Sequence, residues 1–473
     1  MRSKIIATLG PASMNHPTMR AMVEHGVRIF RLNFSHSDAN AFIPVVKIIR
    51  EIENELDVPL TILGDLCGPK IRIGEVKGSP RQVDKGEAVC LGLADQRDKS
   101  SCEVFVELDM PELLKGLEPG MPVSLSDGML QFNVAKTLKA DALYEMTANN
   151  GGILTSHKGI AFPGKFHPMP ALTAKDRKDL HEALDIGVNA LAISFVQSMD
   201  DIKDIKDEIK RHGAWVPVVA KIERANAVDN IDSILSLTDV IMVARGDLGL
   251  ECPIQDLPVI QKRLIRAARH AQKGCIVATQ MLLSMVKNPI PTRAETTDVA
   301  NAIMDGADCV MLSEETAIGS YPVEAVAFMN SLAESAEGYY LERLDGPYKP
   351  SRSSDPVKFL AYSAALMAQF TEAKAIVSHS TSGATARLLA SRRPEQPIYA
   401  LTPEKNVVPY LNFFWSVNPR LTDTALGSHV ERVEQFIQGW DKFAKGDCVV
   451  ITSGQPTPGQ KTTQTNELKV YYK

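Results

Sequence analysis

The chain has 473 residues, too many for one ordinary core, and its 44% hydrophobic and 23% charged content belongs to a folded globular protein rather than a disordered one. A net charge of −5 and a pI near 6.1 argue against nucleic acid or an anionic membrane as the main partner, so any anion site must be local. Seven cysteines, scattered and never in a CxxC pair, argue against a disulfide framework or structural zinc and for a reducing, cytoplasmic setting, and no signal-peptide pattern or membrane-length apolar run is read.

From the N-terminus, short apolar runs of buried-strand type fall at 4–9, 27–32, 60–65, 190–195, 216–222, 240–243, 275–278 and 309–312. Amphipathic helices separate them. The stretch 201–209 sets Ile202, Ile205 and Ile209 on one face, and a helix over 292–304 opens with Thr292 three residues before Glu295, a capping-box spacing. Eight such alternations predict an α/β fold built on a closed (β/α)8 TIM barrel.

Polar residues cluster where these strands end. Arg31, Asn33 and Ser35 follow the second strand, Asp65 the third, Ser194 the fourth, Lys221 and Glu223 the fifth, Arg245 and Asp247 the sixth, Thr279 the seventh, and Ser313 and Glu314 the eighth. Barrels of this kind build their sites on that face. Taken alone, the Lys221 and Glu223 pair fits a surface ion pair and the GDLG stretch at 246–249 a capped turn. Repetition of polar residues at the strand ends favours a site instead. Two carboxylates suit a divalent cation, with Lys221 and Arg245 as fixed positive charge beside it, a combination suited to a phosphorylated, enolisable acid.

Roughly a hundred residues after the third strand break the alternation. Short strands at 70–76, 88–93, 102–106, 123–125, 130–134 and 144–148, with turn signals at 77–80, 118–120 and 126–128, predict a small all-β domain over 69–162. Pro/Gly hinges at 68–69 and 162–164 make it a lid over the barrel mouth. The barrel is then 1–68 plus 163–345, and 346–473 form a C-terminal α/β domain, to which the resemblance given below assigns regulation. In that last part a strand at 375–378 runs into Ser380, Thr381, Ser382, Gly383, Ala384 and Thr385 before a helix at 387–392, a turn able to hold a phosphate or simply to cap the helix. Strands at 398–401, 448–451 and 468–471 complete an open sheet, with a polar loop over 452–465.

The stretches KIIATLGPAS (4–13), FRLNFSH (30–36), GIAFPG (159–164), VAKIE (219–223), MVARGDLG (242–249), ATQML (278–282) and PTRAE (291–295) closely resemble the pyruvate kinase family, in order and nearly end to end. SEET (313–316) and YPVEA (321–325) extend the match. The resemblance implies phosphoryl transfer from phosphoenolpyruvate to ADP, giving ATP and pyruvate. It places Mg2+, with Mn2+ as an alternative, on Glu223 and Asp247, and the substrate carboxylate on the backbone of Ala244, Arg245 and Gly246. Lys221 would meet the phosphoryl group and the enolate, Arg31 would clamp the substrate phosphate, and Thr279 and Ser313 would relay a proton. Asn33, His36, Arg72, Lys158 and Asp127 would meet the nucleotide or its metal. A homotetramer is implied as well.

The departures are specific. Members that need potassium read Asp-Thr-Lys-Gly-Pro-Glu after the third strand, whereas this chain reads Asp65-Leu66-Cys67-Gly68-Pro69-Lys70. The Lys70 ammonium is expected to replace K+ beside Asn33, Ser35 and Asp65, so that K+ is not required. The cation often found after Gly383 is Ala384 here, which favours a sugar monophosphate or AMP over fructose 1,6-bisphosphate as allosteric activator. Two other readings compete: a barrel lyase, which has no need of the lid and of ADP, and a non-catalytic relative, which has no need of an intact Lys221, Glu223 and Asp247.

Overall fold

The computed structural model describes residues 1–69, 71–126, 128–165, 169–350, 355–423, 427–454 and 465–473. Eight parallel strands close into a barrel in the order β1-β8-β7-β6-β5-β4-β3-β2. They are β1 Lys4–Thr8, β2 Val27–Asn33, β3 Thr61–Asp65, β4 Ala190–Ile193, β5 Val218–Ile222, β6 Val240–Ala244, β7 Gly274–Ala278 and β8 Cys309–Leu312. Because side chains alternate along a strand, Ile6, Ile29, Leu63, Val219, Met242 and Ile276 fill the interior, while Ile5, Phe30, Ile62, Val218, Ile241 and Val277 pack outward on the helices. Both faces are buried, which is why the strands read as continuous apolar runs.

The helices begin where the sequence places their caps. Thr173, Ser198 and Thr292 each accept a first-turn amide and complete capping boxes with Asp176, Asp201 and Glu295. Ile202, Ile205 and Ile209 lie buried on the inner face of the helix Met199–His212.

Between β3 and β4 a six-stranded sheet runs Ile160–Ala161, Pro122–Leu125, Leu130–Lys139, Leu143–Ala148, Ala88–Gly92 and Val104–Glu107, with a two-stranded pair Arg81–Val83 and Gly152–Leu154 beside it. The strand expected at 70–76 does not form over the described residues 71–76. Ile73 donates to Lys158 and Gly74 to Glu107, two different neighbours, so Arg72 makes one isolated bridge to Gly159 and no continuous ladder results. Its Ile71 and Ile73 are nonetheless buried in the sheet's core.

The cysteine reading also needs correction. Cys90 and Cys102 form a disulfide with Cα atoms 5.6 Å apart, because the parallel pairing of Ala88–Gly92 with Val104–Glu107 brings together cysteines twelve positions apart. Cys67, Cys252, Cys275, Cys309 and Cys448 are free. No helix among the described residues is long and apolar enough to cross a membrane.

The C-terminal sheet has the order β11-β10-β9-β12-β13, with β9 Ala375–His379, β10 Ile398–Thr402, β11 Val417–Leu421, β12 Cys448–Ser453 and β13 Glu467–Tyr472, the last antiparallel. Sequence patterning overlooked β11, whose Pro419 is tolerated because the strand lies at an edge. The helix expected at 387–392 starts earlier, at Ala384–Ala390, since Gly383 turns left-handed at φ 71° and opens it. Of the polar loop, residues 455–464 lie outside the described residues.

This sheet's connections plug the N-terminal end of the barrel. The Phe413 carbonyl accepts from Cys309 Sγ at 3.5 Å, and a Cβ on Gly274 would sit 2.9 Å from that same carbonyl. Asp308 takes the Trp415 amide at 3.0 Å and the Cys275 amide at 3.1 Å while pairing with buried Arg393 at 3.0 Å. One mouth is thereby closed, and chemistry is left to the other. Removing Asp308 strands the Arg393 charge inside this joint, so Asp308→Ala is expected to cost about 3–5 kcal/mol in urea unfolding. A loss below about 1 kcal/mol would contradict that role.

Candidate active site

At the open mouth the residues converge on Lys221. It leaves the last turn of β5 with 13% of its side chain exposed, and its Nζ lies 2.7 Å from Ser194 Oγ, 3.0 Å from Glu223 Oε1 and 3.3 Å from Asp65 Oδ1. Ser194 takes a hydrogen bond from the ammonium, and the two carboxylates answer its charge. Burial alone would favour neutral lysine, but Asp65 and then Glu223 outweigh it and hold the ammonium charged well above its ordinary range. Ser194 is itself fixed by donating to the Leu66 carbonyl at 2.8 Å.

Arg31, from β2, grips the other oxygen of Asp65, with Nε and Nη2 both 2.7 Å from Oδ2, and reaches Thr8 Oγ1 at 3.1 Å. Burial pushes the Asp65 carboxyl up. Lys221 and Arg31 more than reverse that and leave it below the usual carboxylate range. Thr8, one strand away, carried no signal in sequence beyond its place at a strand end.

Glu223 is in the opposite position. Burial raises its carboxyl, Lys221 and the Phe195 amide at 2.7 Å lower it, and the neighbouring charge of Asp247 raises it again, with a net rise. The ion pair is thus well matched at the lysine and crowded at the glutamate. Among Arg31, Lys221, Asp65, Glu223 and Asp247, two cations face three carboxylates, a surplus of one negative charge. A cation between Glu223 and Asp247 would relieve it. Among the described residues no group of three or more His, Cys, Asp or Glu could hold a metal by itself, so the protein offers two hard carboxylates. That donor set fits Mg2+, which keeps waters or substrate oxygens in its remaining positions.

Asp247 stands in the first turn of the helix Arg245–Glu251 that follows β6 at Ala244. The Arg245 guanidinium turns away from Lys221. It donates to the carbonyls of Ala278 at 3.2 Å and Thr279 at 2.8 Å and pairs with Asp298 at 2.6 Å. It is therefore not the fixed charge at the mouth that its position suggested but a clamp on the strand end that carries Thr279. The clamp has something to hold, since Thr279 and Gln280 both adopt left-handed backbone, at φ 77° and 54°. Gly246 allows the approach, because a Cβ there would lie 2.8 Å from Thr279 Cγ2.

After β8, Glu314 is exposed, and it is buried Glu315 that turns inward, accepting the amides of Ser313 at 2.7 Å and Leu282 at 2.9 Å. Asn33 Oδ1 accepts the Ser35 amide at 3.1 Å. His36, Arg72 and Lys158 are exposed, and Arg72 donates to the His157 carbonyl at 3.0 Å. Lys70 and Asp127 lie outside the described residues. Pro69, Ile71 and Gly159 of the inserted segment share one cleft with Glu223, Asp247 and Glu251. Sequence reasoning missed Glu251, whose carboxyl burial pushes up to about 7 despite Arg224 3.6 Å away.

A closed barrel with a buried, charge-compensated lysine and two cation-seeking carboxylates at its C-terminal mouth defines a barrel enzyme for an anionic substrate. Residues 1–326 match the family model described as pyruvate kinase, barrel domain, and residues 358–471 match pyruvate kinase, alpha/beta domain. The chain is 40% identical to a pyruvate kinase of Agrobacterium vitis over 99% of its length and 96% of the relative's. It is 38% identical to one of Thermococcus litoralis over 99% and 98%, and 34% identical to one of Thermotoga maritima over 99% and 100%. The chain belongs to the pyruvate kinase family and is an enzyme of that family.

Asp65 links two cations, so its loss should register in stability as a function of pH. Because folding holds its carboxyl below the unfolded value near 3.9, its contribution is in place above that value and fades as pH falls through the folded one. Asp65→Asn is expected to lose about 3 kcal/mol at pH 7, with the gap to wild type narrowing by about pH 3 and closing only below the folded value. An equal gap at both pH values in parallel denaturation curves would contradict the charge argument.

Proposed function

We propose that the chain transfers the phosphoryl group of phosphoenolpyruvate to ADP, giving ATP and pyruvate. The observation that carries this reading is the Lys221 ammonium, held between Asp65 and Glu223 beside the surplus negative charge of Glu223 and Asp247. Phosphoryl transfer asks chiefly for positioning and for charge placed where negative charge develops.

In this reading Arg31, braced by Asp65 and Thr8, clamps the substrate phosphate, and the first-turn amides from Arg245 to Asp247, which lack intrahelical partners, meet the carboxylate after Ala244. Lys221 stays protonated throughout, so it acts as a fixed charge facing the transferring group and the enolate left behind. Thr279, held by Arg245, and Ser313, held by Glu315, stand at adjacent strand ends from which a proton can be relayed to the enolate carbon. Glu223 and Asp247 would hold Mg2+, or Mn2+, which would supply positive charge to neutralise the substrate's negative charge. His36, Arg72 and Lys158, with Asn33 and with Asp127 on the inserted segment, serve the nucleotide.

The reading extends to potassium. Leu66 offers no side-chain oxygen, and its carbonyl is taken by Ser194. We therefore assign the monovalent charge to Lys70, beside Asn33, Ser35 and Asp65. Regulation is assigned to the turn Ser380, Thr381, Ser382, Gly383, Ala384 and Thr385 as the seat of a phosphorylated activator, a sugar monophosphate or AMP rather than a bisphosphate. Support comes from the left-handed Gly383 and from Thr385, whose hydroxyl meets Thr465 at 2.6 Å across the far edge of the loop. A homotetramer working in the cytoplasm completes the proposal.

A coupled assay for pyruvate formation tests the core of it. One charge at roughly 4 Å and an effective dielectric near 20 is worth about 4 kcal/mol, so Lys221→Met is expected to lose about three powers of ten in kcat. Full activity in that variant would defeat the assignment. In potassium-free buffer with saturating magnesium the wild type should retain its rate, and Lys70→Glu should acquire a potassium requirement. A loss of about tenfold in the wild type, restored by potassium, would assign the charge elsewhere.

A further inference from the structure

A second concentration of charge lies far from the open mouth, where the barrel meets the C-terminal sheet. A cavity of about 410 Å3 is lined by Arg266, Arg269 and His270 at the end of the helix Leu257–His270, Lys349 from the connecting segment, Lys358 from the helix Pro356–Phe370, and Arg392 just past the helix Ala384–Ala390. No carboxylate lines it among the described residues. The bland account is that these cations answer helix C-termini. Two helices end here, each worth about half a negative charge, which leaves most of five permanent positive charges uncompensated.

The interior of the cavity is built rather than loose. Arg269 stacks on the Tyr348 ring with its guanidinium carbon 3.3 Å from the centroid. Tyr348 is fixed by Tyr340 at 3.0 Å between hydroxyls, and its carbonyl accepts from Arg392 Nη1 at 3.1 Å. Arg392 is 7% exposed, and its buried Nε has no hydrogen-bond partner. An orphaned guanidinium donor in a concave, cation-rich setting with no lining carboxylate among the described residues is costly unless an acceptor arrives. The crowding is felt by its members: burial and then Arg269 lower Arg392, and burial with Arg269, Arg266 and Arg392 lowers His270.

We propose that this cavity binds a small, multiply charged phosphate-bearing anion, at a site separate from both the barrel mouth and the 380–385 turn. The separation follows from the fold. The turn opens the helix Ala384–Ala390 at the C-terminal end of β9, whereas Arg392 lies past that helix's other end, about 10 Å of helix away. An anion here bridges barrel, connecting segment and C-terminal sheet, and so favours one arrangement of the three. The size suits a sugar phosphate or nucleoside monophosphate.

The test uses inorganic pyrophosphate and the full chain, read by calorimetry and by thermal shift. Wild type, Lys221→Met and the Thr381→Ala/Ser382→Ala variant should share a binding event that Arg266→Gln/Lys358→Gln weakens by about tenfold, the effect of two half-exposed charges. The two glutamine replacements sit on partly or fully exposed positions and relieve repulsion, so unliganded melting should not fall. Three results overturn the site: no binding by wild type at about 10 mM, affinity unchanged in the glutamine variant, or loss of this event in the turn or Lys221 variants with the glutamine variant intact.

Discussion

One buried ammonium organises the working end of this molecule. Lys221 cannot sit at the end of an apolar strand unless its charge is answered, and Asp65, Glu223 and Ser194 answer it from three different barrel strands or the residues just beyond them. Each partner then acquires a need of its own. Asp65 calls in Arg31, and Arg31 calls in Thr8, while Glu223 is left crowded by Asp247. The network has no neutral resting point, because its last member still lacks a counter-charge. In the proposed reaction a substrate anion and a divalent cation would complete it from outside.

That arrangement depends on a barrel closed elsewhere. The C-terminal connections fill the N-terminal mouth with Phe413, Phe414 and Trp415, and Asp308 ties that plug to the strand ends. Rigid strands fixed at one end present short polar ends at the other, and the spacing of Arg31, Asp65 and Lys221 is inherited from strand register rather than from loop conformation.

Much of this was legible in the letters because parallel barrels write their strands as uninterrupted apolar runs and their sites as the polar residues that follow. All eight barrel strands fall where the runs fall, and the residues that meet at Lys221 were those at the strand ends. Side-chain direction was not legible. Arg245 has the same position relative to its strand as a site residue, yet its guanidinium folds back on the Thr279 carbonyl. Glu314 and Glu315 are adjacent and identical in kind, and only helix phase decides that the second turns inward. The all-β insertion was recognisable as a texture, but pairing partners were not, which hid the irregular 71–76 segment and the Cys90–Cys102 pair, and in the C-terminal sheet the edge strand with Pro419 was hidden likewise. Local pattern specifies which residues are buried; it leaves open which neighbours they meet.

The central claim is that Glu223 and Asp247 together carry an unmet negative charge that a divalent ion satisfies, with Lys221 competing for one of them. Titration of the intact enzyme with Mn2+, followed by electron paramagnetic resonance, measures this without turnover. The account predicts a site that weakens sharply in both Glu223→Gln and Asp247→Asn and tightens in Lys221→Met, where the competing ammonium is gone. Mn2+ binding that ignores either carboxylate replacement, or that is lost with the lysine, would contradict it.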